Sequence, residues 1–161
     1  MTSVDKVSFC DATADDRRFV WKTNNDPDVR QQAINTESIP WTDHVEWYDE
    51  VLDDPERLLW IVQHEDERIG VIRFDLDPER SLAEITVALL PSFRGRGLGR
   101  RSIEGASRRV TGRDDIDKVV AHVRPDNEAS RRAFEAASFE HVGRDTRAGI
   151  ELDRLEYAGE G

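Results

Sequence analysis

Three glycines alternate with larger residues in one short segment near the middle of the chain. The segment consists of Arg94, Gly95, Arg96, Gly97, Leu98, Gly99 and Arg100. Without side chains, the backbone N–H groups of such a turn can converge on an anion, helped by the positive end of the dipole of a following helix. Guanidinium groups beside the turn suit phosphate oxygens. The spacing therefore predicts a site for a phosphate or pyrophosphate group.

Four interpretations of this glycine-rich turn compete. A Walker-type P-loop requires Gly-Lys followed by Ser or Thr, and a dinucleotide fingerprint requires Gly-x-Gly-x-x-Gly near the first strand; neither fits. A plain turn capped by arginines remains open. The fourth interpretation is the pattern Gln/Arg-x-x-Gly-x-Gly/Ala, which residues 94–99 match at every constrained position. On that match the chain resembles the N-acetyltransferases of the GNAT family.

The residues around the turn extend this resemblance over about residues 5–157. After an apolar run at residues 119–123 comes the segment Asn127-Glu128-Ala129-Ser130-Arg131-Arg132-Ala133-Phe134. It is similar to the family pattern Asn-x-x-Ala/Ser-x-x-x-Tyr/Phe, and Ser138-Phe139 stands where Gly-Phe is usual. The resemblance implies a single α/β (α+β) domain over residues 1–161, with its core at about 5–158. Its mixed, mostly antiparallel sheet would have about seven strands and be flanked by about four helices.

The resemblance also implies that the chain uses acetyl-CoA and no metal. In the family the pantetheine arm lies between the fourth and fifth strands, and it pairs with the fourth at positions that match Val87, Ala88 and Leu89. The pyrophosphate would lie on the amides of residues 94–99, with added charge from Arg94 and Arg100. Further contacts would come from Asn127, Ser130 and Phe134. Many members have Tyr at the last position to protonate the leaving thiolate, which Phe cannot do.

Two residues are candidates for the general base that acetyl transfer to an ammonium requires. Glu84 lies in Ala-Glu-Ile-Thr on the predicted fourth strand, where several family members carry a base. His122 lies on the predicted fifth strand, and its imidazole titrates near neutral pH. A solvated strand carboxylate and a satisfied core histidine are the corresponding structural explanations. The sequence does not decide between the faces of the fifth strand.

Two early motifs resemble those of acetyltransferases that act on nucleotide-linked dideoxy amino sugars. One is Asn25-Asp26-Pro27-Asp28-Val29-Arg30, and the other places His44 and Trp47 after Ile39-Pro40. Arg30 would meet a phosphate, and Trp41 or Trp47 would stack on a uracil or sugar ring. Each aromatic residue is equally explained as core. The first candidate acceptor is thus a small-molecule amine on a nucleotide sugar; the alternatives are a protein N-terminus, a polyamine, and a CoA-binding module without catalysis.

Apolar periodicity predicts the elements that must hold these residues. Strands are predicted at residues 7–10, 58–63, 69–74, 81–90, 118–123, 139–142 and 150–157. A first helix is capped by Thr13 and broken at residues 24–27, and a second begins near Thr42. Two more helices follow, at residues 98–110 and 127–137. The strand, glycine-rich turn, helix and strand at the centre form a βαβ unit in a mixed sheet.

The composition limits other partners. The 161 residues carry a formal net charge of −11, which disfavours a nucleic-acid partner because its phosphates would be repelled. Cys10 is the only cysteine, which excludes an internal disulfide and a thiolate metal cluster. The sequence has neither a signal core nor an apolar stretch of membrane-spanning length, so a cytoplasmic location and no membrane partner are expected. A homodimer is an expectation from the resemblance alone.

Overall fold

A seven-stranded sheet forms the centre of the molecule. The computed structural model describes residues 7–94 and 97–159. The strands are β1 Val7–Asp11, β2 Arg57–His64, β3 Glu67–Asp77, β4 Leu82–Leu89, β5 Lys118–Val123, β6 Glu140–Arg147 and β7 Ile150–Ala158. Their order across the sheet is β1-β2-β3-β4-β5-β7-β6, and within these residues β4 and β5 form the one parallel pair. The predicted mixed, mostly antiparallel sheet is confirmed.

Five α-helices accompany the sheet in the described part of the chain. They are α1 Arg17–Asn24, α2 Pro27–Gln32, α3 Trp41–Asp53, α4 Leu98–Thr111 and α5 Glu128–Ala136. As predicted, Thr13 caps the first of them, through a short 3-10 turn in which Thr13 and Asp16 cap each other's backbone N–H groups. The helix α4 connects β4 to the parallel strand β5, which completes the predicted βαβ unit.

The structure differs from the sequence-based expectation at α2 and β6. Only a chain break is predicted at residues 24–27, whereas Asp26 accepts hydrogen bonds from the N–H groups of Asp28 and Val29 and so starts a six-residue helix. Pro27 suits this start because its fixed φ matches the first helical position. β6 continues to Arg147 although its predicted end is residue 142. Its side chains are mostly exposed on both faces, so no apolar alternation marks it.

The two faces of the sheet are covered unequally. The larger core packs one face against α4 and α5 and includes Phe74, Ile103 and Leu155. A smaller core, with Val20 and Tyr48, packs the other face of β2 and β3 against α1 and α3. Side chains alternate between faces along a strand. Polar residues of β4 to β7 that point away from the larger core therefore share the face of the sheet that carries the early helices.

Candidate active site

An opening lies between β4 and β5, where these parallel strands separate. They pair at only three positions, from Leu82 with Lys118 to Glu84 with Val120. Beyond this point β4 stays paired with β3, and β5 with β7. The edge of β4 at residues 85–89 therefore has no strand partner on the β5 side within the described residues. An extended ligand with amide groups can add to such an edge. Along it lie the residues predicted to pair with pantetheine, which are Val87, Ala88 and Leu89.

The glycine-rich turn leads from this opening into α4. Gly97 is the N-cap residue of α4 and has a φ of 75°, a left-handed conformation that favours glycine. A Cβ added there would meet no atom within 4 Å, so backbone conformation and not crowding selects glycine. The first N–H groups of a helix have no intrahelical acceptor and can face an anion; here they belong to Leu98, Gly99 and Arg100. The other predicted members of the turn, Gly95 and Arg96, lie outside the described residues.

The side chains of Arg94 and Arg100, which are predicted to add charge for the pyrophosphate, have carboxylate partners in the structure. The Arg94 guanidinium lies 2.8 Å from carboxylate oxygens of both Asp26 and Asp28, at the start of α2. The same guanidinium donates a hydrogen bond of 2.8 Å to the carbonyl oxygen of Leu89. These bonds hold the pKa of Asp26 below its ordinary value. Arg100 pairs with Glu104, one turn along α4, at 3.0 Å. Both guanidinium groups thus already have carboxylate partners, and Arg94 fastens α2 to the end of β4.

A second arginine fastens the other end of α2. Arg124 directly follows β5, and its guanidinium donates to the carbonyl oxygens of Ala33 at 3.2 Å and Ile34 at 3.4 Å, just after α2. Arg94 follows β4, so the two arginines come from the two strands that separate. The helix α2 therefore lies across the opening and is tied to both of its sides.

The predicted contacts at the start of α5 have different surroundings. Asn127 caps the helix, because its side-chain oxygen accepts a hydrogen bond of 3.1 Å from the N–H of Ser130. The amide nitrogen of the Asn127 side chain is not used by this cap. Phe134 is buried and makes an edge-to-face contact with Phe139, with 5.0 Å between ring centroids. The structure therefore places Phe134 in the core, and its contact with the coenzyme stays a prediction.

Glu84 and His122, the two candidate bases, belong to one polar network. The His122 side chain is only 4% exposed. Its Nε2 atom lies 2.8 Å from Asp145 on β6, and its Nδ1 atom lies 3.3 Å from Glu84 Oε2, within ion-pair distance but without the alignment of a hydrogen bond. Arg147 donates two hydrogen bonds of 2.7 Å to the Glu84 carboxylate. Arg154 on β7 binds Asp145 at 3.1 Å.

This network shifts the pKa values of the two candidate bases in opposite directions, down for Glu84 and up for His122. Burial alone would raise the pKa of Glu84, but the nearby His122 imidazole and the two hydrogen bonds from Arg147 lower it to about 2. The carboxylate of Glu84, together with that of Asp145, raises the pKa of His122 against the effect of burial. Glu84 is therefore an anion with little basicity, and the neutral imidazole of His122 is the stronger proton acceptor.

A cavity of about 420 Å3 lies on the face of the sheet to which the Glu84 side chain points. It is lined by Trp47, Asp54, Glu56, Arg57, Arg73, Asp75 and Leu76. Asp75 is the register partner of Glu84 on the neighbouring strand, so both side chains point to one face. The three carboxylates and two guanidinium groups of the lining leave one net negative charge. The volume is within the range of small-molecule sites.

Of the four residues predicted to select the acceptor, three lie side by side on α3, where the His44 ring is 5.8 Å from the rings of both Trp41 and Trp47. His44 is buried, and its Nε2 atom lies 2.8 Å from the carbonyl oxygen of Arg17, so it holds α3 against α1 instead of facing an acceptor. Trp41 has the Arg18 guanidinium over its ring at 5.1 Å. Arg30 donates to the carbonyl oxygen of Glu37 at 3.2 Å. Of the four, Trp47 is the one that lines the cavity.

Three residues of the network, Asp145, Arg147 and Arg154, are absent from the sequence-based prediction. All lie on β6 and β7, and two of them are in the stretch of β6 that apolar periodicity misses. The available signal is the alternation of Arg144, Asp145 and Arg147 before a Gly-containing turn, which indicates a charged strand end but does not identify its partner 63 positions earlier.

Comparison with known proteins places the site in context. The model of the acetyltransferase (GNAT) family matches residues 12–139. Among similar solved structures are the aminoglycoside acetyltransferase AAC(6')-Ib with paromomycin and acetyl-CoA, at 18% identity and a TM-score of 0.86, and a Vibrio cholerae spermidine N-acetyltransferase with CoA and spermine, at 17% and 0.84. The first alignment covers 96% of this chain and 94% of the other, and the second covers 95% of each.

A third similar structure is a ribosomal-protein alpha-N-acetyltransferase, RimL, in complex with CoA. It is 16% identical, with a TM-score of 0.83, and the alignment covers 98% of this chain and 97% of that one. Among residues 7–94 and 97–159, no helix has the length and apolar character needed to cross a membrane. The same residues contain no group of three or more side chains arranged to hold a metal ion.

Proposed function

Because this chain belongs to the acetyltransferase (GNAT) family and is an acetyl-CoA-dependent N-acetyltransferase, we propose that its acceptor is a small molecule with two or more cationic amines, of the polyamine or aminoglycoside kind. The observation that carries the proposal is that Asp75, which lines the cavity, is the cross-strand partner of Glu84. An ammonium beside Glu84 leaves further cationic groups within reach of Asp54 and Glu56. The spermine and paromomycin in the two similar structures are amine-rich ligands of this chemistry.

The residues at the opening fit acetyl-CoA. The unpaired edge of β4 at Val87 and Ala88 would take the amide groups of the pantetheine arm, and the N–H groups at the start of α4 would take the pyrophosphate. The amide nitrogen of Asn127 and the hydroxyl of Ser130 are the side-chain donors proposed at the start of α5. When bound, acetyl-CoA supplies an acetyl thioester, whose carbonyl carbon bonds to the amine nitrogen while the carbon–sulfur bond breaks and CoA leaves as a thiolate.

Two residues divide the work on the acceptor amine in this proposal. The Glu84 carboxylate attracts the ammonium form, and His122 takes the proton that must leave before the nitrogen can attack. The neutral imidazole would keep its proton on Nε2, toward Asp145, which leaves the lone pair of Nδ1 directed to the Glu84 side. Phe134 has no proton to give and lies in the core, so the thiolate receives its proton from solvent.

A nucleotide-linked amino sugar is the second candidate acceptor, and the early sequence motifs favour it. In that case Arg30 would bind a phosphate, and Trp41 or Trp47 would stack on the base or sugar. The ring faces carry guanidinium groups in this structure, with Arg18 over Trp41 and Arg73 over Trp47 at 5.7 Å. A nucleotide base would have to displace one of them, and its phosphates would enter a negatively charged molecule. These costs rank it below the cationic amine.

An acceptor screen tests the proposal directly. The purified chain is incubated with acetyl-CoA and, in separate reactions, spermidine, an aminoglycoside, a basic peptide and a uridine-diphosphate amino sugar, and the CoA thiol released is measured. Saturable turnover of spermidine or the aminoglycoside, with an acetylated product in the mass spectrum, is expected. Turnover of the nucleotide sugar alone would overturn the proposal.

Charge variants then locate the acceptor. Asp75→Asn and Glu56→Gln are expected to raise the KM of the cationic acceptor by about threefold to tenfold each and to change kcat little, because they remove attraction that is equal in the ground and transition states. Asp115→Asn is the matched control, since this residue lies after α4, in an ion pair with Arg113 and outside the cavity. Equal KM values in all three variants would mean that the acceptor does not bind in the cavity.

A further inference from the structure

Arg147 stands at the end of β6, immediately before the turn to β7. The turn residues Ala148 and Gly149 have φ values of 52° and 77°, so the chain reverses sharply beside it. From this hairpin tip the guanidinium reaches Glu84, and each of its terminal nitrogens donates to a different carboxylate oxygen at 2.7 Å. This fork-to-fork pair covers the carboxylate that the acceptor amine must meet.

The exposure of the two partners indicates which one can leave. The Arg147 side chain is 43% exposed, whereas that of Glu84 is 23% exposed. Glu84 is fixed in the paired part of β4, while Arg147 is at the tip of a hairpin on the edge strand. Rotation about the side-chain torsions of Arg147 would uncover Glu84, with the Asp75 carboxylate on the same face next to it.

The His122 side of the network is held independently of Arg147. Asp145 binds His122 Nε2 and is itself bound by Arg154, which also pairs with Glu156 at 2.9 Å. None of these contacts passes through Arg147. The proposed proton acceptor therefore keeps its orientation when the guanidinium moves away.

We propose that the Arg147 guanidinium occupies the acceptor's ammonium site at Glu84 and must be displaced by it, so that the β6–β7 hairpin tip sets the preference for cationic amines. The proposal rests on the function proposed above. When Arg147 moves away, the Glu84 carboxylate loses its positively charged partner. A neutral amine cannot replace that positive charge, whereas an ammonium group can. Arg147 is thus a specificity-determining residue, and its loss frees a site that the acceptor otherwise has to open.

Binding of a simple cation tests this without turnover. The probe is methylammonium chloride, and the readout is the side-chain carboxyl 13C signal of Glu84 in labelled protein, with tetramethylammonium chloride as the ionic-strength control. In Arg147→Ala we expect a saturable shift of this signal with methylammonium, and in the unaltered chain a much weaker one. The matched control is Arg113→Ala, which removes a guanidinium of similar exposure, 42%, from a different ion pair; it should behave as the unaltered chain does.

Kinetics provide the second measurement. The KM of the cationic acceptor is expected to fall by about threefold to tenfold in Arg147→Ala, because the site is no longer partly occupied. Arg147→Lys, which keeps the charge but not the fork, should lie between. If methylammonium shifts the Glu84 signal equally in the unaltered chain and in Arg147→Ala, or if KM rises in Arg147→Ala while thermal unfolding is unchanged, Arg147 is a fixed positioning residue and the proposal is overturned. Failure of every cationic acceptor in the unaltered chain would instead contradict the proposed function. The methylammonium titration would still decide whether Arg147 occupies an ammonium site at Glu84.

Discussion

Glu84 should make stability depend on pH in a specific way. Its ordinary pKa is 4.5, and its folded pKa is about 2. Because the folded value is the lower one, the carboxylate stabilises the fold above the unfolded pKa, and this contribution is lost as the pH falls through the folded pKa. One pKa unit corresponds to about 1.4 kcal/mol, so Glu84 contributes about 3 kcal/mol near neutral pH. By about pH 3 roughly 2 kcal/mol of this has been lost.

The perturbation that isolates this contribution is Glu84→Gln. The free energy of unfolding is measured by urea titration with circular dichroism at several pH values between about 7 and 3, where the window of the shift lies. The difference between the unaltered chain and the variant should shrink by about 2 kcal/mol across this range. The same comparison in a His122→Gln background separates the carboxyl's own effect from that of the imidazole, with which it is coupled. Glu135→Gln, on α5, controls for the substitution itself.

A difference that stays constant from neutral to acidic pH would refute this reasoning. It would mean that Arg147 and His122 do not hold the Glu84 carboxylate ionised in the folded state, and that the close contacts around it contribute nothing beyond those of a solvated side chain.

Three further predictions concern the remaining parts of the site. The value of kcat/KM should rise as the pH increases through the raised pKa of His122, since only the neutral imidazole accepts a proton; Asp145→Asn should move this midpoint to lower pH, and an unmoved midpoint in a pH–rate profile would assign the titration to another group. Gly97→Ala should weaken acetyl-CoA binding by about fivefold or more in calorimetry, because the left-handed backbone costs a non-glycine residue about 1 kcal/mol or more and the turn shifts to relieve it; an unchanged affinity would remove the turn from the coenzyme site. Arg94→Ala should speed amide hydrogen exchange in α2 and change acetyl-CoA affinity by less than about threefold, since its partners are carboxylates; a large loss of affinity would restore the phosphate role predicted from the sequence.

The sequence predicts the sheet well because most of its strands bury one or two faces. The spans of β2, β3, β4 and β5 follow from apolar runs between turn residues, and the glycine-rich turn locates the βαβ unit. β6 is predicted too short, because an exposed edge strand needs no apolar residues. The helix α2 is missed because its start depends on one side-chain cap by Asp26, next to a proline that also suits a chain break.

The site is predicted only in part, and the reason is long-range pairing. Glu84 and His122 are recognisable as alternatives, but their assembly into one network depends on the parallel register of β4 and β5. Arg94 is predicted to meet phosphate because its type and position suit one; the carboxylates that bind it lie 66 and 68 positions earlier. His44 and Phe134 fit family motifs, yet both are held in the interior by packing that a motif does not report.

The two ties on α2 have a mechanical consequence. One tie comes from Arg94, after β4, and the other from Arg124, after β5. The two sides of the opening are therefore joined through a six-residue helix, and separating them further would strain both hydrogen bonds. A ligand that forces these strands further apart would pull on α2 and on the loop that leads to α3 and Trp47. Binding of acetyl-CoA in the opening would in this way act on the surface proposed to bind the acceptor amine.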